Sequence, residues 1–501
     1  MTSLLIIIGY LALLLGVALT SSRFSRGTSE DFFVASRSIG PFLLLMSLFG
    51  TTMTAFALVG STGKSYALGV GVYGLMASWA AVVHPLMFAV VGLKLWKLGR
   101  EYGYVTQVQY FRDRFQSERL GHLLFPILVL LVIPYLLIGV QGAGITVAAV
   151  TKGAFPTLFV DAAGQASGVP AWLTGAVICA VVLTYVFWGG IRAAAWANGF
   201  QTCIFIVVAV LTFFTIASAL GGAEAATAAT MAKRPELLVR GESIGQAQFL
   251  SYGLVGLSVG MFPHIFQHWM TAKSAKTFRL PVIAHPVLVA VVWLPCVILG
   301  IWAAGQLSVP PAKANAVLGI MVAKYTTPVM GGILTAGILA AIMSSLDSQF
   351  LCLGTMFTHD VVLRGESADK ADDARVIWIG RAFVTGVVAV TYLLSLFSNR
   401  GIFDLGVWCF SGFSGLTPLV IAALYWRRAT RVGAFACVGA TVISWTALFV
   451  MDSMAAGGAH GEFLVGGVMP VTWVFLSSAL AMVVGSLLST PPDDEHLRRF
   501  L

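Results

Sequence analysis

Charge is what this sequence has least of. Only 10% of its 501 residues are Asp, Glu, Lys or Arg, against about a quarter in ordinary soluble domains. With 58% hydrophobic residues and a mean hydropathy of +0.90, that scarcity excludes a water-soluble globular chain. Cysteine is sparse too. Cys179, Cys203, Cys296, Cys352, Cys409 and Cys437 stand singly in apolar runs without Cys-x-x-Cys spacing, so they indicate neither a disulfide framework nor a thiolate metal site. There is no Gly-x-x-x-x-Gly-Lys-Ser/Thr loop, which argues against direct nucleotide drive. Nor is there the clustered acidic or His/Asp site with which a lipid-processing membrane enzyme would hold metal and phosphate. The first apolar run, MTSLLIIIGYLALLLGVALTSSRFSR, has no basic residue before it. It therefore reads as a first transmembrane helix and not as a cleaved leader.

The net charge of +9 sits in short loops between apolar runs and does not form a nucleic-acid-binding patch. The partner it implies is the lipid bilayer. Thirteen runs of about 20 residues are long enough to span one, at 3–21, 40–62, 72–96, 122–146, 170–189, 192–220, 248–270, 281–305, 327–360, 379–398, 403–425, 432–452 and 466–488. The fold class is all-α and integral to the membrane, one domain over 1–501. Placing the N-terminus outside puts 22 of the 30 Lys and Arg in cytoplasmic loops, and the odd number of crossings then puts the C-terminus in the cytoplasm. A multi-pass protein of the inner (plasma) membrane is expected. The longest loop, 221–247, is expected to fold over the external mouth. The charged, amphipathic stretch REYGYVTQVQYFRDRFQSERLG reads as a short interfacial helix.

The ninth run carries the chemistry. In GGILTAGILAAIMSSLDSQFLCLGTMFTHD (331–360), Ala341, Ser344, Ser345 and Ser348 recur at i, i+3, i+4 and i+7 and share one helical face, with Asp347 on its flank. A carboxylate at membrane depth costs about 2.5–3.5 kcal/mol and needs a partner or a wet cavity. Back-bonding to the helix would account for one serine. Four aligned polar positions beside a carboxylate read as hard-oxygen ligands for a small cation.

Other segments add to this. In the second run Gly50, Thr51, Thr52 and Thr54 soften an apolar helix, and an unwound turn in lipid is tolerated only where it is buried in protein or lines a cavity. The fifth and sixth runs meet at FWGGIRAAAWANGFQ. There Gly189–Gly190 is expected to break the helix, Arg192 to anchor it, and Trp188 and Trp196 to flank the turn. Asn198 and Gln201 follow one turn apart as candidates for interhelical hydrogen bonds. The seventh run ends with His264 and His268 at i, i+4 but no third ligand, and these read as interfacial or gate-lining in preference to metal-binding.

The GGIRAAAWANGFQ junction and the AIMSS helix resemble the sodium:solute symporter family, whose bacterial branch includes proline, pantothenate and monocarboxylate transporters. The resemblance implies a leucine-transporter-type core of two inverted five-helix repeats, here 40–220 and 248–425, with an extra N-terminal helix (1–22) and C-terminal helices (432–488). The first helix of each repeat is broken, and solute binds between the repeats near the midplane. The implied function is secondary active transport, the sodium-coupled symport of a small organic solute by alternating access. Carried over by position, the Na+ ligands are the carbonyls of Gly50, Met53 and Ala341 and the hydroxyls of Ser344 and Ser345. One departure stands out. The family usually has Trp-Thr-Asp at the junction, where this chain has Ala197 and Asn198, while Asp347 and Ser348 stand where some members have second-site serines. A second cation site of Asn198, Asp347 and Ser348 follows, with proton coupling through Asp347 as the alternative; a membrane enzyme or a transport-inactive sensor are more distant readings. Where sugar-carrying members have polar side chains this chain has Ala57, Val255 and Val289. So apolar a pocket suits no polyol. It suits a compact carboxylate-bearing solute, an amino acid or monocarboxylate, with its charge at a half-helix N-terminus near Thr54.

Overall fold

The computed structural model describes residues 1–22, 35–160, 164–241, 244–363, 373–398, 400–455 and 463–501. Apolar runs too long to leave their backbone unpaired in lipid fold as helices, because only a helix satisfies every N–H and C=O within its own segment. In order these are α1 (Thr2–Ser22), α2 (Pro41–Thr52), α3 (Phe56–Leu68), α4 (Tyr73–Tyr102), α5 (Gln107–Arg114), α6 (Glu118–Val150), α7 (Ala171–Phe187), α8 (Ala194–Ala219), α9 (Ala223–Lys233), α10 (Gln246–Gly260), α11 (Pro263–Thr271), α12 (Arg279–Gln306), α13 (Val317–Tyr325), α14 (Pro328–Val362), α15 (Ile377–Phe397), α16 (Ile402–Tyr425), α17 (Arg431–Ala455), α18 (Pro470–Leu487) and a last short turn, α19 (Asp494–Leu497). Nine are long and apolar enough to cross a bilayer, two more crossings are the bent pairs α2/α3 and α10/α11, and α1 and α7 are shorter apolar helices. Every one of the thirteen expected runs thus returns as helix among the described residues.

Helix α14 is the axis of the bundle. Every residue from Leu334 to Met356 is buried, and it packs against α1, α2, α6, α7, α8 and α15. Small residues permit that approach: a Cβ on Gly337 would lie 2.2 Å from Val208 Cγ1. Two helices run beside α14 in opposite senses. Tyr185 and Phe187 of α7 lie beside Asp347 and Gly354, whereas Asn198 and Val208 of α8 lie beside Ser348 and Gly337. Both segments belong to one helical stretch, Ala171–Ala219, and these contacts show that its path turns back along α14 between Tyr185 and Asn198. The side chains expected to make that turn, Trp188 and Arg192, lie outside the described residues, as do Arg23, Arg26, Arg364 and Lys370; Trp196 is exposed.

The bundle has two unlike ends. Helix α16 starts at one end with Phe403 and Val407 and finishes at the other with Ala423, about 30 Å from Phe403 at the helical rise. At its starting end a cavity of about 900 Å³ opens, lined among others by Gly60, Lys64, Trp172, Phe403, Asp404 and Trp408. Loop 221–247 does not cover this mouth as expected. Its helix α9 docks on the end of α12, where Trp302 Nε1 donates to Thr227 Oγ1 (3.0 Å) and Thr230 Oγ1 to Ile301 O (3.3 Å). The mouth is lined instead by residues around 311–315, 395–404 and 452–453.

At the opposite end α5 is capped by a reciprocal Thr106–Gln109 box. The interfacial helix expected here is in fact docked in the bundle, with Tyr110, Phe111 and Arg114 buried. Arg114 donates to Ala423 O (2.9 Å) and Trp426 O (3.3 Å), and Lys94 donates to Leu424 O. Two cations thus satisfy the carbonyls that α16 leaves open at its C-terminus.

Candidate functional site

The site begins where α2 stops. Thr52 Oγ1 bonds back to Leu48 O and Phe49 O (both 3.0 Å), Met53 leaves helical geometry at φ −90°, ψ 85°, and Thr54 Oγ1 accepts the Phe56 N–H (3.0 Å) to open α3. Self-bonding threonines end one half-helix and start the next, as short hydroxyl side chains do, and the two halves meet at 54°. Gly50 lies against its neighbours so closely that a Cβ there would be 2.2 Å from Thr202 Oγ1. That approach brings α14 within reach: Ser344 Oγ lies 2.9 Å from Gly50 O and 2.9 Å from Ala341 O. A hydroxyl has one proton and two lone pairs, so two carbonyls and a hydroxyl oxygen converge on one point. Ser345 Oγ accepts the Gln349 amide (2.7 Å), and Met53 is buried at the break itself. Three of the five expected Na+ ligands therefore touch directly; Ser345 adjoins Ser344 in sequence, and Met53 follows Gly50 by three residues.

A second polar knot lies one turn along α14. Asp347 is fully buried and accepts Tyr185 Oη on Oδ2 (3.1 Å) and Ser348 Oγ on Oδ1 (3.2 Å). In the orientation that satisfies both ends of its amide, the Asn198 nitrogen lies 3.0 and 2.9 Å from Asp347 Oδ1 and Oδ2 and 3.1 Å from Ser344 O, and its oxygen lies 2.8 Å from Ser348 Oγ, whose one proton serves either that oxygen or Asp347. Ser348 is the hub, also reached by His268 Nε2 (3.0 Å) and Thr51 Oγ1 (3.1 Å). The expected trio of Asn198, Asp347 and Ser348 is thus one cluster. Two members were not anticipated: Tyr185 from α7 and His268 from α11. A tyrosine within an apolar run is the signal that would have found the first, since its hydroxyl must have a partner when buried.

The histidines correct an expectation. Of the two readings, interfacial or gate-lining, the first does not hold: His264 and His268 are buried, each about 1% exposed. The reason is a second break: α10 ends at Gly260, Pro263 starts α11, and the 51° bend swings both imidazoles into the bundle. His264 stacks on Phe262 (ring centroids 5.2 Å apart), and Tyr135, Phe410 and Phe413 close around the pair. Of the expected solute residues, Thr54 caps α3, the Ala57 carbonyl accepts Ser61 Oγ, and the Val255 carbonyl accepts Ser414 Oγ (3.4 Å). All three are buried, and the open cavity begins at Gly60, one turn beyond Ala57.

Comparison with known proteins follows the same lines. The chain is 27% identical to the sodium/proline symporter of Escherichia coli, across 94% of this chain and 90% of that one. It is 26% identical to the osmoregulated proline transporter of Bacillus subtilis, across 94% and 92%. Among solved structures, a Na+-coupled sialic acid symporter in a substrate-bound outward-open state superposes with a TM-score of 0.77 at 16% identity, covering 98% of this chain and 99% of that one. A nucleobase-cation-symport-1 transporter in a closed conformation gives 0.58 at 13% identity, covering 93% and 97%. These likenesses establish the leucine-transporter-type fold. The sequence model of the sodium:solute symporter family matches residues 32–440, and the chain, a sodium-coupled transporter of a small organic solute, belongs to that family.

Proposed function

We propose that Na+ binds at the first helix break, to the carbonyls of Gly50, Met53 and Ala341 and the hydroxyls of Ser344 and Ser345, and that the solute is a small carboxylate-bearing amino acid of the proline type. The observation that carries the sodium assignment is the Ser344 hydroxyl, 2.9 Å from a carbonyl on each side of the α2–α14 boundary. The donors are neutral hard oxygens, which suits a weakly bound monovalent ion that must leave again. A cation there ties the bent half-helix to the buried α14, so sodium occupancy and the shape of the break become one equilibrium; this is the physical content of coupling.

The solute assignment rests on the relatives named for proline and on the apolar character of Ala57 and Val255. Its carboxylate would sit at the N-terminal end of α3 near Thr54, where the helix dipole is positive. Asn198, Asp347 and Ser348 form a second cation site in this reading. The two repeats are 40–220 and 248–425, each opened by a bent pair. With the N-terminus outside and the C-terminus in the cytoplasm of a bacterial inner membrane, the 900 Å³ cavity faces outward. The described basic residues around Arg100, Arg114, Lys273 and Arg427 then lie on the cytoplasmic side.

The test is uptake of labelled L-proline into proteoliposomes under an inward sodium gradient. Uptake that collapses when choline replaces sodium supports the reading, and equal uptake in the two salts defeats it. If L-proline is not carried at all, competition by other small amino acids and monocarboxylates identifies the solute. Orientation is read separately: in intact cells Ala225→Cys, in the exposed α9, should react with an impermeant thiol reagent, and Arg119→Cys should not.

A further inference from the structure

At the end away from the cavity, residues 494–500 fold back onto α5. Phe500 is buried in spite of its polar neighbours and packs on Tyr102 and Tyr110 (ring centroids 6.2 and 6.1 Å away). Arg499 pairs with Asp113 (3.2 Å), Asp494 with Arg427 (3.2 Å), and His496 Nε2 lies 3.3 Å from Arg114 O. Asp113 also accepts the Tyr104 hydroxyl, whose pKa burial and that carboxylate push well above its ordinary value.

What α5 holds makes this placement consequential. Gln107 donates to Met261 O (3.2 Å) at the break between α10 and α11. Thr106 donates to Asp360 Oδ1 (2.9 Å) at the end of α14, and Arg114 caps α16. One two-turn helix therefore joins the bent pair, the axial helix and the end of α16, all at the end away from the cavity. Any separation of those three elements must break or move a contact made by α5.

We propose that residues 494–500 are a latch that pins α5 and biases the transporter toward the state open at the opposite cavity. The half-exposed ion pairs contribute little by themselves; the buried Phe500 ring does most of the holding, and the charges set its register. Releasing the latch shifts population toward the state open at the α5 end, with no change in the residues that meet sodium.

The test uses the purified chain in nanodiscs with Cys203→Ser and one reporter thiol, either Ala67→Cys on the cavity wall or Val108→Cys, buried on α5. Because both faces are accessible there, the readout does not depend on membrane orientation or solute identity. Phe500→Ala should slow cavity labelling and speed labelling at 108, each about threefold or more, the scale of a modest population shift. Arg499→Glu should do the same more weakly, and Arg499→Lys should restore wild-type rates. Sodium-dependent thermal stabilisation should persist in all three, showing that the variants fold. If Phe500→Ala does not fold, Arg499→Glu alone decides. Unchanged labelling at both reporters overturns the latch, and so does faster labelling at both, which would mean general loosening.

Discussion

Two helices of this protein break by nearly the same angle, 54° at Met53 and 51° at Phe262, and are filled in opposite ways. At the first, Thr52 and Thr54 satisfy themselves within their own half-helices, Thr51 reaches Ser348, and the Gly50 carbonyl is left to a hydroxyl of α14. At the second, Phe262 and His264 stack and are walled by Tyr135, Phe410 and Phe413. The backbone event is similar; the side chains decide whether it presents converging oxygens, the cation site proposed above, or an aromatic wall. An unwound turn in a membrane must be covered by something: at the first break a hydroxyl of α14 meets the Gly50 carbonyl, and at the second Gln107 takes the Met261 carbonyl while aromatic rings wall the side chains.

The sharpest way to break this contrast is Gly50→Val. Its branched side chain would collide with Thr202 and push α2 off α8, displacing the Gly50 carbonyl from Ser344. Sodium-driven uptake should be lost at least a hundredfold, in line with a clash of a few kcal/mol. Ser344→Ala comes next. It removes one oxygen without adding bulk, and half-saturating sodium should rise about tenfold, the equivalent of about 1.4 kcal/mol, with solute preference unchanged. Asp347→Asn should then reduce the charge moved per solute, and adding Asn198→Asp should recover part of it, because the two groups share one cluster and their effects do not add. If Asp347→Asn instead removes a pH dependence and leaves charge per solute unchanged, the carboxylate carries a proton. Smallest is Phe262→Leu at the second break, which should change the solute KM about threefold and leave sodium half-saturation alone. A sodium effect there equal to that of Ser344→Ala would erase the distinction between the breaks.

The sequence was most legible where one periodicity decided the matter. Thirteen apolar runs became helices, and the i, i+3, i+4, i+7 spacing placed Ser344, Ser345 and Ser348 on a common face of α14 because a helix has no other way to arrange them. The carboxylate–amide pair was legible as a missing aspartate in one run and an extra one in another. What could not be read were contacts that depend on a bend. His264 and His268 lie at the end of an apolar run and look interfacial until a break at Phe262 turns them inward. Tyr185 is an ordinary residue of α7 until the reversal before α8 sets it against Asp347. Loop 221–247 was misplaced for a related reason: its length suggested a lid, but Thr227 and Thr230 find their partners on the flank of α12.

The most direct test of the sodium assignment needs no solute. Purified wild-type protein and Ser344→Ala should be melted over a series of sodium concentrations at constant ionic strength, with choline as the counter-series. A bound ion stabilises the folded state by about 2.7 kcal/mol at a hundred times its Kd. The wild type should therefore gain melting temperature with sodium and not with choline, and Ser344→Ala should need about ten times more sodium for the same gain. Superimposable sodium curves for the two proteins would contradict a cation at the first break.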